Sequence, residues 1–430
     1  MSSPSFSKTH LYKILHDRFG LASFRGMQEP VITRILNGHD VLALMPTGAG
    51  KSLCYQLPSL LMPGVTVVIS PLIALIRDQV RRLNTLNMAS LAVIGSEDMN
   101  ATLNRSKHLL KRGEIKIILT SPERIQMSSF LQWLSQSLPP QGLSLWVIDE
   151  AHCISEWGRA FRPAYSALGA VREQYPNTPV LAMTASADQR TIKDILQVMR
   201  MTEEAIVRSS FNRPELFYRI AHSAAPWRTA IAYLQTYHLA SPAIFYCKMR
   251  QETERLAALL SCYGFHAHAY HAGMDAVQRS EREHWFLNAE SGVMVATIAF
   301  GMGMDKPNIR LVAHVGAEHR VASYYQETGR AGRDGNLSDV LLVLSNREYF
   351  TLLQGEDSVQ DPSLNDLEWQ SRADFGAFIR SPQCRRISLL AGLDETFSGG
   401  CHSCDYCCPT YRPLPHLREN TSEWTPKGIY

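Results

Sequence analysis

Apolar runs of four or five residues recur along the chain, and each gives way to a turn signal and then an amphipathic or polar stretch. Before residue 210 these runs are Val41–Leu44, Val65–Ile69, Ile115–Leu119, Leu145–Ile148 and Val180–Met183. Short, unbroken apolar runs alternating with helical patterns predict buried parallel strands joined by crossover helices. The pattern starts again with Ala243–Tyr246, His266–Tyr270, Val293–Ala296, Leu311–Val315 and Val340–Leu344. Two α/β units of similar size are therefore expected in tandem, 1–208 and 209–345. The linker is placed at Phe211-Asn212-Arg213-Pro214, because proline disfavours helix in the residue before it. After Ser345 charged, helical-looking sequence leads to a group of cysteines, giving a third, small subdomain over 346–410. From Pro409 the sequence is Pro-rich and polar, and a flexible tail is predicted over 411–430.

Composition narrows the class without deciding it. Hydrophobic residues make up 45% of the 430 and charged residues 19%, enough apolar material for real cores. The formal net charge is only +3, so any nucleic-acid binding must use a local basic groove rather than bulk charge. Met1–His10 is polar and lacks the apolar core of a signal peptide. The longest greasy stretch, Leu60–Ile76, is broken by Pro63-Gly64 and Pro71, and reads as a strand between turns rather than a membrane span. A cytoplasmic protein is expected. Of nine cysteines, Cys54, Cys153, Cys247 and Cys262 are scattered, as reduced thiols would be, and five lie near the C-terminal end.

The first candidate chemistry follows the first predicted strand. Met45 is succeeded by Pro46, Thr47, Gly48, Ala49, Gly50, Lys51 and Ser52, and then by a helical pattern. Glycines at 48 and 50 let backbone N–H groups wrap phosphate oxygens at a helix start. Lys51 is placed on the β- and γ-phosphates of ATP, and Ser52 on Mg2+. Met45 stands where small GTPases carry the loop's first glycine. A second apolar run ends in Asp149-Glu150-Ala151-His152. Asp149 is assigned to the Mg2+ shell and Glu150 to orienting or deprotonating the attacking water, since phosphoryl transfer depends on such positioning. His152 would couple this site to a neighbouring segment.

These residues, in this order, resemble superfamily 2 helicases of the DEAH type, and the neighbouring segments resemble the RecQ family. Phe19-Gly20 and Phe24-Arg25-Gly26-Met27-Gln28 are similar to that family's motif ahead of the phosphate loop, which implies that Phe19, Arg25 and Gln28 meet the adenine, the Gln28 amide matching its N6/N7 edge. Cys153 to Pro163 resembles the family's aromatic-rich loop. The resemblance implies that Trp157 and Phe161 stack on unpaired bases and that Arg162 contacts phosphate or reports DNA. The loop carries Arg159-Ala160 where His-Asp is usual. Thr184-Ala185-Ser186 resembles the motif linking hydrolysis to domain movement.

The second unit continues the resemblance with Tyr270-His271-Ala272-Gly273 and Ala296 to Lys306, which imply that Thr297 grips strand phosphates and Asp305 meets the ribose. Tyr324 to Gly335 holds Gln326, Arg330 and Arg333 at spacings that suit one helix face or its first turn. The resemblance implies an ATP site between the lobes, with Arg330 and Arg333 facing the nucleotide and Arg333 as the finger. The resemblance runs from about Leu11 to about Cys407. It implies two RecA-like P-loop lobes with parallel sheets and a helical zinc-binding subdomain.

Cys384 and the Cys401-x2-Cys404-x2-Cys407 run can close a four-thiolate site with no position for substrate water. Zinc is preferred over an iron–sulfur cluster, with Cys408 and His402 as nearby competitors. The expected activity is an ATP-dependent 3′-to-5′ DNA helicase acting as a monomer on single-stranded and forked DNA, in recombination and repair. A winged helix, which longer relatives carry, does not follow the cysteines, so accessory proteins and weak unwinding are expected. The alternative is a DNA-stimulated translocase or remodelling subunit of a larger repair or defence complex.

Overall fold

The computed structural model describes residues 7–71, 73–93, 106–155, 163–166, 168–185, 189–298, 300, 304, 306–316, 320–354 and 366–415. The chain divides into two compact units at Asn212/Arg213, with the short segment Leu393–Glu395 belonging to the first.

The first unit is a seven-stranded sheet. Its strands are β1 (Val41–Leu44), β2 (Val65–Ile69), β3 (Ser90–Val93), β4 (Ile117–Thr120), β5 (Leu143–Ile148), β6 (Val180–Thr184) and β7 (Ile206–Arg208), in the order β3-β4-β2-β5-β6-β1-β7. Every pairing is parallel. Strands β1, β2, β4 and β6 are buried at every residue, as expected where helices cover both faces. Val41, Ala43, Val68, Leu119, Val147 and Leu181 form one face of the core, closed by Val31, Ile35, Tyr55 and Ile76 from helices. Each Val, Leu or Ile among them contributes about 1.5–3 kcal/mol by leaving water.

The second unit repeats the plan with β8 (Leu216–Ser223), β9 (Pro242–Cys247), β10 (Ala267–Tyr270), β11 (Gly292–Ala296), β12 (Leu311–Val315) and β13 (Ser338–Ser345), ordered β10-β11-β9-β12-β13-β8 and again all parallel. Phe245, Val293, Val295, Leu311, Ala313 and Val343 pack against Ile231, Leu234, Leu256 and Leu260. Both units are RecA-like α/β lobes.

All ten expected strands are present, with ends shifted by up to two residues. Three strands were not foreseen. β3 and β7 are short margins of the first sheet. β8 is the edge of the second and mixes Arg219 and His222 with its apolar residues. That mixture has a cause: the C-terminal segment lies along this edge. The Tyr218 N–H donates to Ser403 O (3.2 Å), Asp405 N–H donates to Tyr218 O (2.9 Å), and Ile220 N–H donates to Asp405 Oδ2 (2.9 Å). The helices Asn346–Gln354, Asp366–Arg380 and Arg385–Ala391 also belong to the second unit.

The start of the expected flexible tail is fastened. Arg219 donates to Tyr411 O, Tyr237 Oη to Pro413 O (2.8 Å), and Arg412 Nη1 to Asp339 Oδ2 (2.7 Å). Aromatic and arginine side chains among the prolines anchor it, and residues 416–430 lie outside the described set. No described helix is long and apolar enough to cross a membrane.

Candidate nucleotide site and cysteine cluster

In the first unit, the residues picked out for phosphate chemistry lie at the carboxyl ends of β1, β5 and β6, the edge where open α/β sheets bind ligands. β1 runs into the glycine loop, whose entry is fixed by Met45 N–H donating to Thr184 O at the end of β6 (3.0 Å). Gly48 and Gly50 have φ of +83° and +70°, a left-handed geometry that glycine adopts without penalty. The helix Leu53–Leu61 then begins directly after Lys51 and Ser52. Lys51 Nζ rests 3.5 Å from Met45 O.

Gln28 is 3% exposed and already engaged. Its Nε2 donates to Ala49 O (2.8 Å) and Gly50 O (3.1 Å), and its Oε1 accepts from Arg25 N–H (2.8 Å). A Cβ at Gly50 would fall 2.6 Å from that amide nitrogen, so glycine is needed there on two counts. The amide thus braces the phosphate loop. Phe19 ends the helix Lys8–Phe19 and packs on the core, while the Arg25 side chain is exposed.

Asp149 follows β5 and is 7% exposed. Burial, then the adjacent Glu150 carboxylate, push its carboxyl up to about 7, with Lys51 pulling the other way. A buried aspartate and a half-buried glutamate beside a lysine, with the Ser52 hydroxyl after it, form a donor set that suits a hard divalent cation. Glu150 is itself held at φ +49°, uncommon for a non-glycine residue. Tyr165 Oη donates to Asp149 O (3.1 Å). His152 Nδ1 lies 3.1 Å from Thr184 Oγ1 and 3.4 Å from Glu150 Oε2, so the imidazole does join the acid segment to the end of β6.

In the second unit, Thr297 N–H donates to Tyr270 O (3.2 Å), which brings the segments after β10 and β11 together. The helix Val321–Thr328 carries Gln326 and stops at Thr328. Arg330 and Arg333 therefore lie in the turns beyond it, and do not share a helix face with Gln326; Gly329 and Gly332 end the helical run. Arg330 is buried and Arg333 half-buried. Beneath them Glu327 Oε2 is paired with His314 Nε2 (2.6 Å), and the His314 ring stacks on Tyr246.

The sulfur atoms of Cys384, Cys401, Cys404 and Cys407 all lie within 4.8 Å of one another, Cys401 and Cys407 at 4.0 Å. A tetrahedral site with Zn–S near 2.3 Å needs separations of roughly 3.8 Å, so the four fit with a small contraction. Backbone N–H groups of Ser403 and Cys407 point at Cys401 (3.3 Å) and Cys404 (3.4 Å). The Cys401 thiol beside it, and that N–H, hold the Cys404 thiol down to about 5. Cys408 turns away and donates to His402 O.

Residues 25–195 match the DEAD/DEAH box helicase family, and residues 228–335 match the helicase conserved C-terminal domain. The chain is 37% identical over 405 residues to the ATP-dependent DNA helicase RecQ of Haemophilus influenzae, covering 94% of this chain and 64% of that protein. It is 33% identical over 414 residues to a putative ATP-dependent RNA helicase, R290, of Acanthamoeba polyphaga mimivirus, covering 96% of this chain and 74% of the relative. This chain belongs to the RecQ family. It spans less than two thirds of the Haemophilus protein's length. In fold it is similar to the DEAD-box helicase Mss116 bound to ssRNA, with a TM-score of 0.65 at 17% identity, covering 91% of this chain and 82% of that one.

Of the residues the RecQ resemblance singled out, the structure gathers Gln28 with the glycine loop, Asp149 and Glu150 with His152 and Thr184, and the four cysteines. Trp157, Phe161, Arg162, the Arg159-Ala160 departure, Ser186 and Asp305 lie outside the described residues. Sequence reasoning missed Tyr165, which holds the Asp149 carbonyl, and Arg213, which was read only as part of a proline-marked linker.

Proposed function

We propose that this RecQ-family chain is an ATP-driven motor that moves 3′-to-5′ along single-stranded DNA and unwinds duplexes, in recombination and repair. The observation that carries it is the meeting, at one carboxyl edge of the first sheet, of a glycine phosphate loop with the buried Asp149 and its neighbour Glu150. Backbone N–H groups of residues 47–52 cradle the phosphates, and Lys51 sits on the β- and γ-oxygens. Ser52 and Asp149 hold Mg2+, which supplies neutralisation of charge on those oxygens. Glu150, propped in a left-handed conformation, aims the attacking water. Gln28 links the base to the loop it braces, with Phe19 and Arg25 beside it. In the second unit Gln326, Arg330 and Arg333 act on the nucleotide, an arginine in this role being worth about 10³–10⁵ in rate. Asp305 meets the ribose, Thr297 grips the strand, and Trp157, Phe161 and Arg162 stack on and sense it. The four cysteines hold a structural zinc ion. The protein works as a monomer in the cytoplasm, with accessory proteins at forked DNA.

The test is steady-state ATP hydrolysis with single-stranded DNA, single-stranded RNA or neither, with Lys51→Ala as control, followed by unwinding of a forked duplex. DNA stimulation that vanishes in Lys51→Ala, with 3′-tailed forks unwound, supports the motor. Stimulation by RNA alone would move the substrate to RNA, and hydrolysis indifferent to both would overturn the reading.

A further inference from the structure

Arg213 is the first residue of the second unit and is 9% exposed. Its guanidinium makes a fork onto a single stretch of backbone: Nη1 donates to Gly329 O (3.3 Å), and Nη2 to Ala331 O (2.9 Å) and Gly332 O (3.3 Å). Those carbonyls immediately precede Arg330, follow it, and precede Arg333. Glu215 takes the remaining Nε–H. We propose that Arg213 is a positioning residue for the nucleotide reaction, fixing the turns from which Arg330 and Arg333 act. This rests on the reading of those two arginines as groups that neutralise charge on the phosphates.

Two physical arguments support it. The helix ends at Thr328, and the carbonyls that Arg213 meets lie in the turns just beyond it, so a cation there meets the negative end of the helix dipole. Placing Arg213 at this end therefore organises the segment that carries the two arginines. The segment is also pinned from its other side, because Gly332, at φ +61°, donates its N–H to Ile309 O (3.0 Å). A backbone held between these anchors cannot swing Arg330 and Arg333 freely. Glu215 offsets the charge of Arg213, so the clamp adds little repulsion toward the arginines it places. Lysine has the charge but not the planar fork, and cannot bond three carbonyls in this geometry.

The experiment compares Arg213→Lys, Arg330→Ala, Arg333→Ala and the double variant Arg213→Lys/Arg333→Ala in the full, zinc-loaded chain. ATP hydrolysis is measured at saturating single-stranded DNA, with thermal unfolding alongside. Arg213→Lys is expected to lower kcat about 10-fold with KM for ATP within about 2-fold, since the lost contacts matter for transition-state alignment. In the Arg333→Ala background the same change should cost clearly less than about 10-fold, because only Arg330 of the two arginines it aligns is left to act. Where Arg213→Lys fails to fold, Glu215→Gln, which loosens the guanidinium, should show the same kcat-selective loss in smaller measure. A wild-type kcat for Arg213→Lys beside an impaired Arg333→Ala, or fully multiplicative losses in the double variant, would overturn the positioning role alone. Wild-type rates for both Arg330→Ala and Arg333→Ala would overturn the reading of the arginines, and the positioning role with it.

Discussion

The imidazole Nδ1 of His152 lies 3.1 Å from the Thr184 hydroxyl, tying the segment after β5 to the end of β6. Both residues are buried, and the same nitrogen is 3.4 Å from Glu150 Oε2. The Thr184 hydroxyl and the Glu150 carboxylate thus both lie close to one imidazole nitrogen. Thr184→Val keeps the shape and removes the hydroxyl, at a cost of about 1–3 kcal/mol for an unmet buried polar group. It should retain basal ATP turnover and lose most of the stimulation by single-stranded DNA, while Thr184→Ser keeps both. Hydrolysis titrated with DNA, together with urea unfolding, measures the two effects. Full stimulation in a destabilised Thr184→Val would confine the pair to a structural role.

Asp149 gives a pH signature. Its carboxyl is raised to about 7 in the metal-free protein, by burial first and Glu150 second. A raised folded-state value means that the ionised form is disfavoured by folding. The penalty is absent below the ordinary carboxylate value, grows from about pH 4, and is complete above about pH 7, on the order of 4 kcal/mol at most. Asp149→Asn should therefore melt above wild type at pH 8 without Mg2+ and nucleotide, and the gap should close near pH 4. It should also abolish hydrolysis. Thermal unfolding across that range decides it, and an Asp149→Asn protein less stable than wild type at pH 8 would rule out the buried-charge penalty.

What could be read from the chain divides along physical lines. The ten buried strands were legible because parallel strands covered on both faces need unbroken apolar runs, as in Val65–Ile69. β8 was not, because Arg219 on it serves the carbonyl of Tyr411, a contact nearly two hundred residues away that leaves no local pattern. The phosphate loop and the acid pair were legible because each is contiguous. Arg213 was not: its partners are carbonyls of a remote turn, and carbonyls carry no residue-type signal. The spacing of Gln326, Arg330 and Arg333 suited one helix face or its first turn, but the helix ends at Thr328; spacing alone does not show that residues share a helix, and Gly329 and Gly332 were the signal for its end.

The cysteine cluster should govern the edge of the second sheet rather than the first lobe. Tyr218 and Ile220 donate their amide hydrogens to Ser403 O and Asp405 Oδ2, groups on either side of Cys404. Arg385, next to Cys384, donates Nε to Asp405 Oδ1 (2.8 Å), joining both halves of the cluster. Metal binding supplies folding energy to such small sites. Zinc chelation, or Cys404→Ser, should raise hydrogen exchange at the amides of Tyr218 and Ile220 by at least about 10-fold, since loss of the partner frees local opening. Amides of Val41–Leu44 in the first unit should keep their protection. Unchanged exchange at Tyr218 and Ile220 after complete zinc removal would show that the edge holds without the metal.

Asp339 makes the segment beyond the cysteines part of the second lobe. Its buried carboxylate accepts from Tyr233 Oη (2.9 Å), His238 Nε2 (2.8 Å) and Arg412 Nη1 (2.7 Å). Burial alone would raise it, but the hydrogen bonds and charges of His238 and Arg412 outweigh that and hold the carboxyl below its ordinary range. A lowered folded-state value contributes stability above the ordinary carboxylate range, lost as pH falls through the lowered value. Removing one partner of a buried charge costs several kcal/mol, but Arg412 is partly exposed, so Arg412→Ala is expected to cost about 2 kcal/mol at pH 7. The loss should shrink as the carboxyl becomes protonated under acid conditions. Arg412→Lys should recover part of it, because the ion pair survives without the packing of the guanidinium over Tyr237 and Tyr411. Urea unfolding at pH 7 and at pH 3, with a tryptophan readout, measures this. An Arg412→Ala variant as stable as wild type at pH 7 would mean that the Tyr411–Pro413 segment is only laid against the lobe, and that His238 and Tyr233 alone satisfy Asp339.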